Sequence, residues 1–412
     1  MMFFGTLVLL LMLVFGMPVA FALGIAGMVG LFTIGGLSMV EGVLRTVSLA
    51  TTSSYELLTI PMFILMAEFI IVSRIADELF DCAKTWIGRT PAGLAISTAI
   101  AGAGFGAISG SSTASAATLS ATTIPAMLRN GYNPRFASGV VAISGPLAML
   151  IPPSIALILY GLIADISIGK LLIAGIIPGI LVTCVIILTS LLLVMLFPHF
   201  APAGRAYSMV EKIQSLAVIG PMVVLISLVT GCIYLGIATP TESASLGAFG
   251  AMCIALVRGR LSFQSFYTAV RKAAATSCMI VMIIICAHIF SYYFTLTGVT
   301  QELVGVVAAL NVEAWVILSL IILLYLVLGC FMDQIAILFL TVPITLPIIL
   351  ALGYDPFWFG VVVIITAEIG LVTPPIGLNV FVVSAYSNVK VKDIFIGVIF
   401  PAIVTWLPET VR

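Results

Sequence analysis

Two stretches of small polar residues interrupt an otherwise apolar chain of 412 residues. The first is GAISGSSTASAAT at 106–118, and the second is GCFMDQ at 329–334. Their hydroxyl, amide and carboxylate oxygens are the ligands that hard cations prefer. An ionisable residue such as Asp333 inside a membrane costs on the order of 3 kcal/mol or more and usually marks a pathway. The stretches indicate cation binding, although serines and threonines that only pack helices together explain the first stretch equally well when it is taken alone.

Each polar stretch is followed by a proline pair, in SGPLAMLIPPS at 144–154 and in TAEIGLVTPPIGLN at 366–379. Two adjacent prolines remove two amide hydrogens, so a regular helix cannot continue and its carbonyls are freed. We expect these carbonyls to join the polar stretches in binding sodium, while helix N-termini offer amides to an anion. The first predicted sodium site comprises Gly110, Ser111, Ser112, Thr113, Ser115, Gly145 and Pro152. The second comprises Gly329, Asp333, Gln334, Thr366, Thr373, Pro374 and Gly377. The predicted substrate contacts are Ser111, Pro153, Ser154, Pro375 and Asn379.

An internal repeat underlies this arrangement. GYNP at 131–134 recurs as GYDP at 353–356, 222 positions later, and each turn is followed 18 residues on by a proline pair. Ser111 and Asp333 each lie 41 residues before the first proline of their pair. Glycine and proline set backbone geometry, so the two halves are predicted to share an irregular backbone.

Composition places these elements in a membrane. Hydrophobic residues make up 62% of the chain and charged residues 8%, whereas a soluble domain carries roughly 25% charged residues. Net charge is zero and no basic block occurs, which argues against nucleic acid as a partner. The seven cysteines form no CxxC motif and are predicted to be small packing residues. The chain is therefore predicted to be an all-α polytopic membrane protein in contact with the lipid bilayer.

The basic residues predict that the two halves are inverted in the membrane. The loop at 74–90 carries three basic residues and its repeat partner at 296–312 carries none, whereas the loop at 36–48 carries one and its partner region four. Cytoplasmic loops collect Lys and Arg, so equivalent loops are expected on opposite faces, which requires an odd number of spans per half. The predicted spans are 3–16, 18–35, 50–73, 136–163 and 170–197, then 216–236, 240–257, 273–296, 357–387 and 393–411.

This count holds only if 91–128 and 313–352 are re-entrant hairpins that enter the membrane and return to the same face. The predicted division is a first repeat over 1–200, a polar linker over 201–215 and a second repeat over 216–412. The spans 136–163 and 357–387, which contain the proline pairs, are predicted to be broken helices.

Polar residues outside the tips and breaks also carry predictions. Thr239 or Thr241 is predicted to cap a helix that begins near Glu242. His288 is predicted to be a packed, hydrogen-bonded residue. Glu68 and Glu368 lie alone inside predicted spans, where an acid can bind a cation or proton, and the sequence assigns no role to Glu368.

With these residues assembled, the chain resembles the large membrane subunit of tripartite ATP-independent periplasmic (TRAP) transporters over essentially its full length. The matching stretches are SGSSTASAA, IPAMLRNGYNP, IPPSIALILYG, GIATPTESAS, LGCFMDQIAI and IGLVTPPIGLNVF. The resemblance implies an elevator-type carrier, in which a transport domain bearing both hairpins moves against a scaffold. It also implies uptake of an organic acid coupled to at least two sodium ions, a small membrane subunit, a soluble periplasmic binding protein, and the bacterial inner membrane.

Parts of the sequence are also compatible with a channel or a membrane enzyme. Hairpins that meet inside the membrane also build channel filters, and a serine-rich tip is compatible with an intramembrane hydrolase. No GxSxG motif occurs and only two histidines are present, so an enzyme is disfavoured. No Walker motif occurs either, which argues against ATP as the energy source.

Overall fold

The structure is a computed structural model that describes residues 4–202, 204–299, 301–302, 304–305 and 312–406. Within these residues every regular element is helical, as the long apolar runs predict. The first half contains α1 (Phe4–Val14), α2 (Val19–Thr52), α3 (Thr59–Ser73), α4 (Ile75–Ile87), α5 (Gly93–Ser109), α6 (Ser112–Arg129), α7 (Pro134–Ser144), α8 (Ile155–Ala164) and α9 (Ile168–Leu196). The second half contains α10 (Met209–Tyr234), α11 (Pro240–Val257), α12 (Phe263–Thr297), α13 (Ala314–Phe331), α14 (Gln334–Ala351), α15 (Pro356–Leu371), α16 (Leu378–Ser387) and α17 (Val391–Trp406). Short 3-10 turns lie at Tyr55–Leu58, Gly145–Met149 and Pro198–Phe200.

Eight helical segments among the described residues are long and apolar enough to cross a membrane. They include both arms of the second predicted hairpin, α13 and α14. The proline-containing spans are instead divided into shorter helices, α7 with α8 and α15 with α16. Re-entry of the two hairpins stays a prediction. Residue 3 and residues 407–411 of the predicted spans lie outside the described residues.

The repeat is visible in the helices themselves. α6 and α14 begin and end 222 positions apart, and α7 and α15 begin at the same offset. The peptide bonds Pro152–Pro153 and Pro374–Pro375 are both cis. The irregular backbone predicted from the shared glycines and prolines is therefore present in both halves.

One group of helices packs around the pair α2 and α12. This scaffold group comprises α1, α2, α3, α10, α11 and α12, with α3 packed on both α11 and α12. A Cβ atom on Gly27 would lie 2.9 Å from the backbone of Phe290, and one on Gly30 would lie 2.5 Å from the ring of Tyr293. Because there is no hydrophobic driving force for apolar helices to associate in lipid, close packing at small residues stabilises their contact. These glycines let α2 approach α12 closely.

A second group carries the hairpins and the broken helices. The hairpin α5–α6 packs on the 145–149 turn of its own half, while α6 also packs on α16 of the other half. The hairpin α13–α14 packs on α15 of its own half, and α14 also packs on α8. Each hairpin therefore lies between one broken helix of each half.

Two segments predicted to be loops are largely helical instead, and a helix begins inside the predicted linker. Residues 36–48 belong to α2, because non-helical backbone is confined to Gly35 and Gly36 and helix resumes immediately after them. Most of 74–90 forms α4, which is amphipathic and buries Leu79 and Phe80. α10 begins inside the predicted linker, because the Ser208 side chain caps it. The predicted span 50–73 is likewise interrupted, at the turn before α3.

Candidate functional site

The GYNP and GYDP turns close each hairpin and start the next helix. Gly131 and Gly353 have φ of +79° and +82°, the left-handed conformation that glycine adopts without penalty. Asn133 and Asp355 then accept hydrogen bonds from backbone amides as the N-caps of α7 and α15, each followed by proline at the first helical position. This cap–proline order fixes an abrupt reversal of direction. The repeated turns are thus explained by backbone geometry.

Tyr132 in the first turn has an additional role. Its hydroxyl accepts a hydrogen bond of 3.1 Å from the backbone N–H of Leu94, in the first turn of α5. Burial raises the pKa of the Tyr132 hydroxyl above its ordinary value, so this group stays protonated. The bond joins the start of the first hairpin to the turn that ends it.

The first hairpin tip is enclosed by protein. Gly110 has a φ of +55° and ends α5, and the Ser111 hydroxyl caps α6 by accepting from the amide of Ala114 at 3.4 Å. The hydroxyls of Ser109 and Ser115 lie 2.9 Å apart and join the two arms. Ser115 is therefore engaged inside the hairpin.

The second tip follows the same plan with a different exposure. Asp333 caps α14 by accepting from the amide of Ala336 at 2.9 Å, so it occupies the position equivalent to Ser111. Asp333 is exposed and lines a cavity of about 980 Å³ between the tip and the scaffold helices. The other walls include Met332 and, from α12, Met279. The carboxylate therefore lies at the cavity surface.

The first helix break is buried and internally bonded. Pro152, Pro153 and Ser154 are buried. The Ser154 hydroxyl donates to the carbonyl of Met149 at 2.5 Å and accepts from the amide of Leu157 at 3.2 Å. Ser154, a predicted substrate contact, thus makes its observed hydrogen bonds within the break.

The second break is more open. Pro374 and Pro375 are exposed, and the hydroxyl of Thr373 donates to the carbonyl of Ile369 at 2.6 Å. Thr366 similarly donates to a carbonyl of its own helix, at 2.8 Å. The amide of Gly377, whose φ is +61°, donates to the carbonyl of Cys330 at 3.3 Å. That bond connects the break to the second hairpin.

The structure brings each tip against the break of its own half, as the predicted sites require. A Cβ atom on Gly145 would lie 3.1 Å from the backbone oxygen of Ser112, and one on Gly329 would lie 2.6 Å from the carbonyl oxygen of Ala367. The first contact is tighter than most and the second is too close for a side chain, so each tip lies backbone to backbone against the broken helix of its own half. Thr113, in contrast, is paired with Ser111 at 3.2 Å within its own tip.

Several buried polar atoms in the described residues have no hydrogen-bond partner, and most belong to these elements. They are the side-chain oxygen of Gln334, both carboxyl oxygens of Glu368, both polar atoms of Asn379, and the hydroxyl of Ser243 in α11. Most buried polar groups in proteins are paired, and an unpaired one costs about 1–3 kcal/mol. Gln334 and Asn379 were predicted site residues, and their free atoms are available to a ligand.

Two comparisons with known proteins bear on this arrangement. The family described as "Tripartite ATP-independent periplasmic transporter, DctM component" matches residues 6–409. The large permease protein DctM for C4-dicarboxylates from Pseudomonas aeruginosa is 33% identical over 367 residues, covering 87% of this chain and 86% of that one. This chain belongs to the DctM family.

A longer relative and a solved structure add to this. The isethionate permease protein DctMQ from Oleidesulfovibrio alaskensis is 34% identical over 93% of this chain, which spans only 60% of that relative. The crystal structure of the Alcanivorax borkumensis YdaH transporter has a TM-score of 0.68 at 15% identity, covering 90% of this chain and 86% of that chain. The similarity to YdaH shows a shared fold.

Membership in the DctM family makes the chain a transporter permease and not an enzyme. It is one component of a three-part transporter that serves the periplasm, and its apolar helices place it in the inner membrane, which borders that compartment. The resemblance that the sequence motifs suggested is confirmed.

Two residues outside the tips have local roles. Glu242 forms a capping box with Thr239 at the start of α11, with its carboxylate 2.8 Å from the Thr239 amide, so Thr239 is the cap. His288 Nδ1 lies 3.0 Å from the hydroxyl of Thr51, which confirms a hydrogen-bonded histidine. The residue is exposed and lines a cavity, so the prediction that it is packed is wrong. Glu68 is partly buried and lines a separate cavity with Lys272.

Proposed function

We propose that this DctM component carries a small organic acid across the inner membrane together with sodium ions. The observation that carries the proposal is the unpaired oxygen of Gln334 and the unpaired amide of Asn379, both buried and both on elements that meet at the tips and breaks. An unpaired buried polar group destabilises the folded protein. A ligand that pairs with the group during part of a transport cycle removes this cost, so the unpaired group serves ligand binding.

The donor set at the tips suits sodium. Within the described residues no group of three or more His, Cys, Asp or Glu could hold a metal ion, so the candidate ligands are hydroxyl, carbonyl and amide oxygens with at most one carboxylate at a tip. Neutral hard oxygens favour hard cations of low charge. At least two such ions are expected, one at each pairing of a tip with a break.

The substrate is an anion that helix N-termini can hold. α6 and α14 begin at the tips, and α8 and α16 begin at the breaks, so four helix N-termini lie at the tips and breaks. Each offers amide hydrogens and the positive end of a helix dipole. The relatives described above are named for isethionate and C4-dicarboxylates, which are small organic anions.

The partners are a small membrane subunit and a periplasmic binding protein that delivers the organic acid. The family is tripartite, and the relative named DctMQ is longer than this chain. A separate small subunit accounts for that difference in length.

The mechanism is elevator-like movement of one helix group past the other. The hairpins and broken helices pack chiefly on one another, and the scaffold group packs around α2 and α12. The cavity of about 980 Å³ lies at their boundary beside the second tip. Such a division allows the two tips to move together across the membrane while the scaffold helices stay in place in the lipid bilayer.

Uptake into proteoliposomes tests this function. The chain is reconstituted with its small subunit, the binding protein is added with radiolabelled dicarboxylate or sulfonate, and an inward sodium gradient is compared with a potassium gradient. We expect saturable uptake that requires sodium and the binding protein. Uptake that neither saturates nor depends on sodium would indicate a channel instead.

A further inference from the structure

Glu368 is a buried ionisable group whose carboxyl oxygens have no hydrogen-bond partner among the described residues. It lies near the end of α15 with 2% of its surface exposed. The ion pairs of the described residues are Lys84–Asp81, Arg135–Asp393 and Arg258–Glu78, so none involves Glu368. An ionised carboxylate without a counter-charge is very unfavourable in such surroundings.

The two hairpin tips converge near this carboxyl group. Ser112, the first residue of α6, is buried close to the Glu368 side chain, although the two groups form no hydrogen bond. Gln334, the first residue of α14, donates to the carbonyl of Ile364 at 3.4 Å. Ile364 lies one helical turn before Glu368, so Gln334 reaches the same side of α15. Ser112 and Gln334 are equivalent positions of the repeat, 222 residues apart.

Gln334 also has a side-chain oxygen that is available to coordinate an ion. Its amide nitrogen is used by the Ile364 carbonyl, while its side-chain oxygen is buried and unpaired. The backbone oxygen of Ser112 is next to Gly145 at the first break, and the 145–149 turn packs on α15, so the start of α6 lies close to α15. A carboxylate, an amide oxygen and a hydroxyl thus come from three different elements, and they have in common an affinity for a hard cation.

We propose that Glu368, which belongs to neither predicted tip–break site, forms a further sodium site between the two hairpin tips, and that Gln334 and Ser112 are ligands of this site instead of the tip–break sites to which the sequence assigned them. The bound cation supplies the counter-charge that Glu368 otherwise lacks. Because the ligands come from both hairpins, the ion holds the tips together around α15. The proposal rests on the proposed sodium-coupled transport and adds a site to it.

The test compares Glu368→Gln with wild type in reconstituted uptake at varied sodium. The substitution keeps the side-chain size and removes the charge. We expect the sodium concentration for half-maximal uptake to rise about tenfold, and the Hill coefficient for sodium to fall by about one because one site no longer fills. Glu68→Gln is the matched control, since it removes an intramembrane acid in the scaffold, and its sodium dependence should equal that of wild type.

A second variant shows whether a loss of sodium dependence in Glu368→Gln comes from the missing carboxylate or from misfolding. Glu368→Gln combined with Gln334→Glu returns one carboxylate to the cluster from the opposite element, and it should recover a steeper sodium dependence than Glu368→Gln alone. Sodium-dependent thermal stabilisation of the purified proteins, measured against choline at constant ionic strength, gives a readout independent of transport. Stabilisation by sodium should be weaker in Glu368→Gln and restored in the double variant.

The outcomes separate this site from the wider function. If wild-type uptake needs no sodium, the proposed transport function itself is wrong. If wild type needs sodium but Glu368→Gln keeps its Hill coefficient and half-saturation, only the site at Glu368 is wrong. If the variant alters the pH dependence of uptake and leaves the sodium dependence unchanged, Glu368 binds a proton and the sodium assignment is overturned.

Discussion

At the scale of single residues, substitution of the hydroxyl groups at the tips and breaks is the most direct test of sodium binding. Ser112 contributes a buried hydroxyl, and Thr113 and Thr373 contribute partly exposed ones. The Thr373 hydroxyl donates a hydrogen bond to the carbonyl of Ile369. It can therefore orient that carbonyl oxygen toward an ion, or coordinate the ion with its own oxygen. Removing an oxygen ligand should weaken sodium binding more than substrate binding.

Ser112→Ala, Thr113→Ala and Thr373→Ala should each raise the sodium concentration for half-maximal uptake. Each lost ligand costs about 1–3 kcal/mol if its place stays unsatisfied. Ser319→Ala is the control, because that exposed hydroxyl bonds only to the Trp315 carbonyl of its own helix. Unchanged sodium dependence in all three variants, with folded protein confirmed, would remove the tips from the ion sites.

Tyr132 provides a structural counterpart at the same scale. Tyr132→Phe removes the acceptor of the Leu94 amide and should lower the free energy of unfolding by about 1–3 kcal/mol, since a buried donor is left unpaired. Tyr354→Phe is the repeat-matched control, because Tyr354 is partly exposed and stacks on Trp358. Thermal unfolding in detergent measures both, and equal losses would contradict the role of the Leu94 bond.

At the scale of helices, close approach decides which contacts tolerate a side chain. Two of the glycines of α2, Gly27 and Gly42, have contrasting surroundings. A Cβ atom on Gly27 would come within 2.9 Å of the α12 backbone, whereas one on Gly42 would meet nothing within 4 Å. The packing of α2 on α12 therefore depends on one glycine and not on the other.

Gly27→Ala should destabilise the protein, because α2 and α12 must separate, while Gly42→Ala should be neutral or stabilise it by up to about 1 kcal/mol through improved helix propensity. Size-exclusion chromatography after graded heating reports the folded fraction. A Gly27→Ala protein as heat-resistant as wild type would mean that the α2–α12 interface can relax without cost.

At the scale of the whole molecule, the inverted orientation of the halves stays a prediction from the basic residues. Arg129 and Ala351 are equivalent in the repeat and both are exposed at the ends of α6 and α14. In a cysteine-free background, Arg129→Cys and Ala351→Cys should react with a membrane-impermeant maleimide from opposite sides. Labelling from the same side would rule out the inversion.

Movement of the hairpin unit past the scaffold belongs to this scale too. Met332 of the second tip and Met279 of α12 line the same cavity. A bifunctional crosslink between cysteines at these positions should stop uptake, and its cleavage should restore it. A crosslink inside the scaffold between Thr59→Cys and Thr241→Cys, whose native hydroxyls lie 2.6 Å apart, is the control. Full uptake across the first crosslink would contradict the elevator mechanism.

The sequence alone determined features that depend on local backbone chemistry. Glycine, an amide or carboxylate cap and proline in GYNP and GYDP dictate the same turn wherever they occur, and a proline pair must break a helix. Composition likewise required a membrane. These features need no distant partner, which is why the helical fold, the repeat and the broken helices were predictable.

The tertiary structure decided what depends on contacts between distant segments. Residues 36–48 and 74–90 are polar enough to suggest loops, but Val43 and Phe80 are buried and stabilise helices there. Asp333 is exposed and Glu368 enclosed, although both are single acids in apolar runs. Burial of one position follows from which helices surround it, and here each hairpin is enclosed partly by the other half of the chain, a relation that local sequence does not encode.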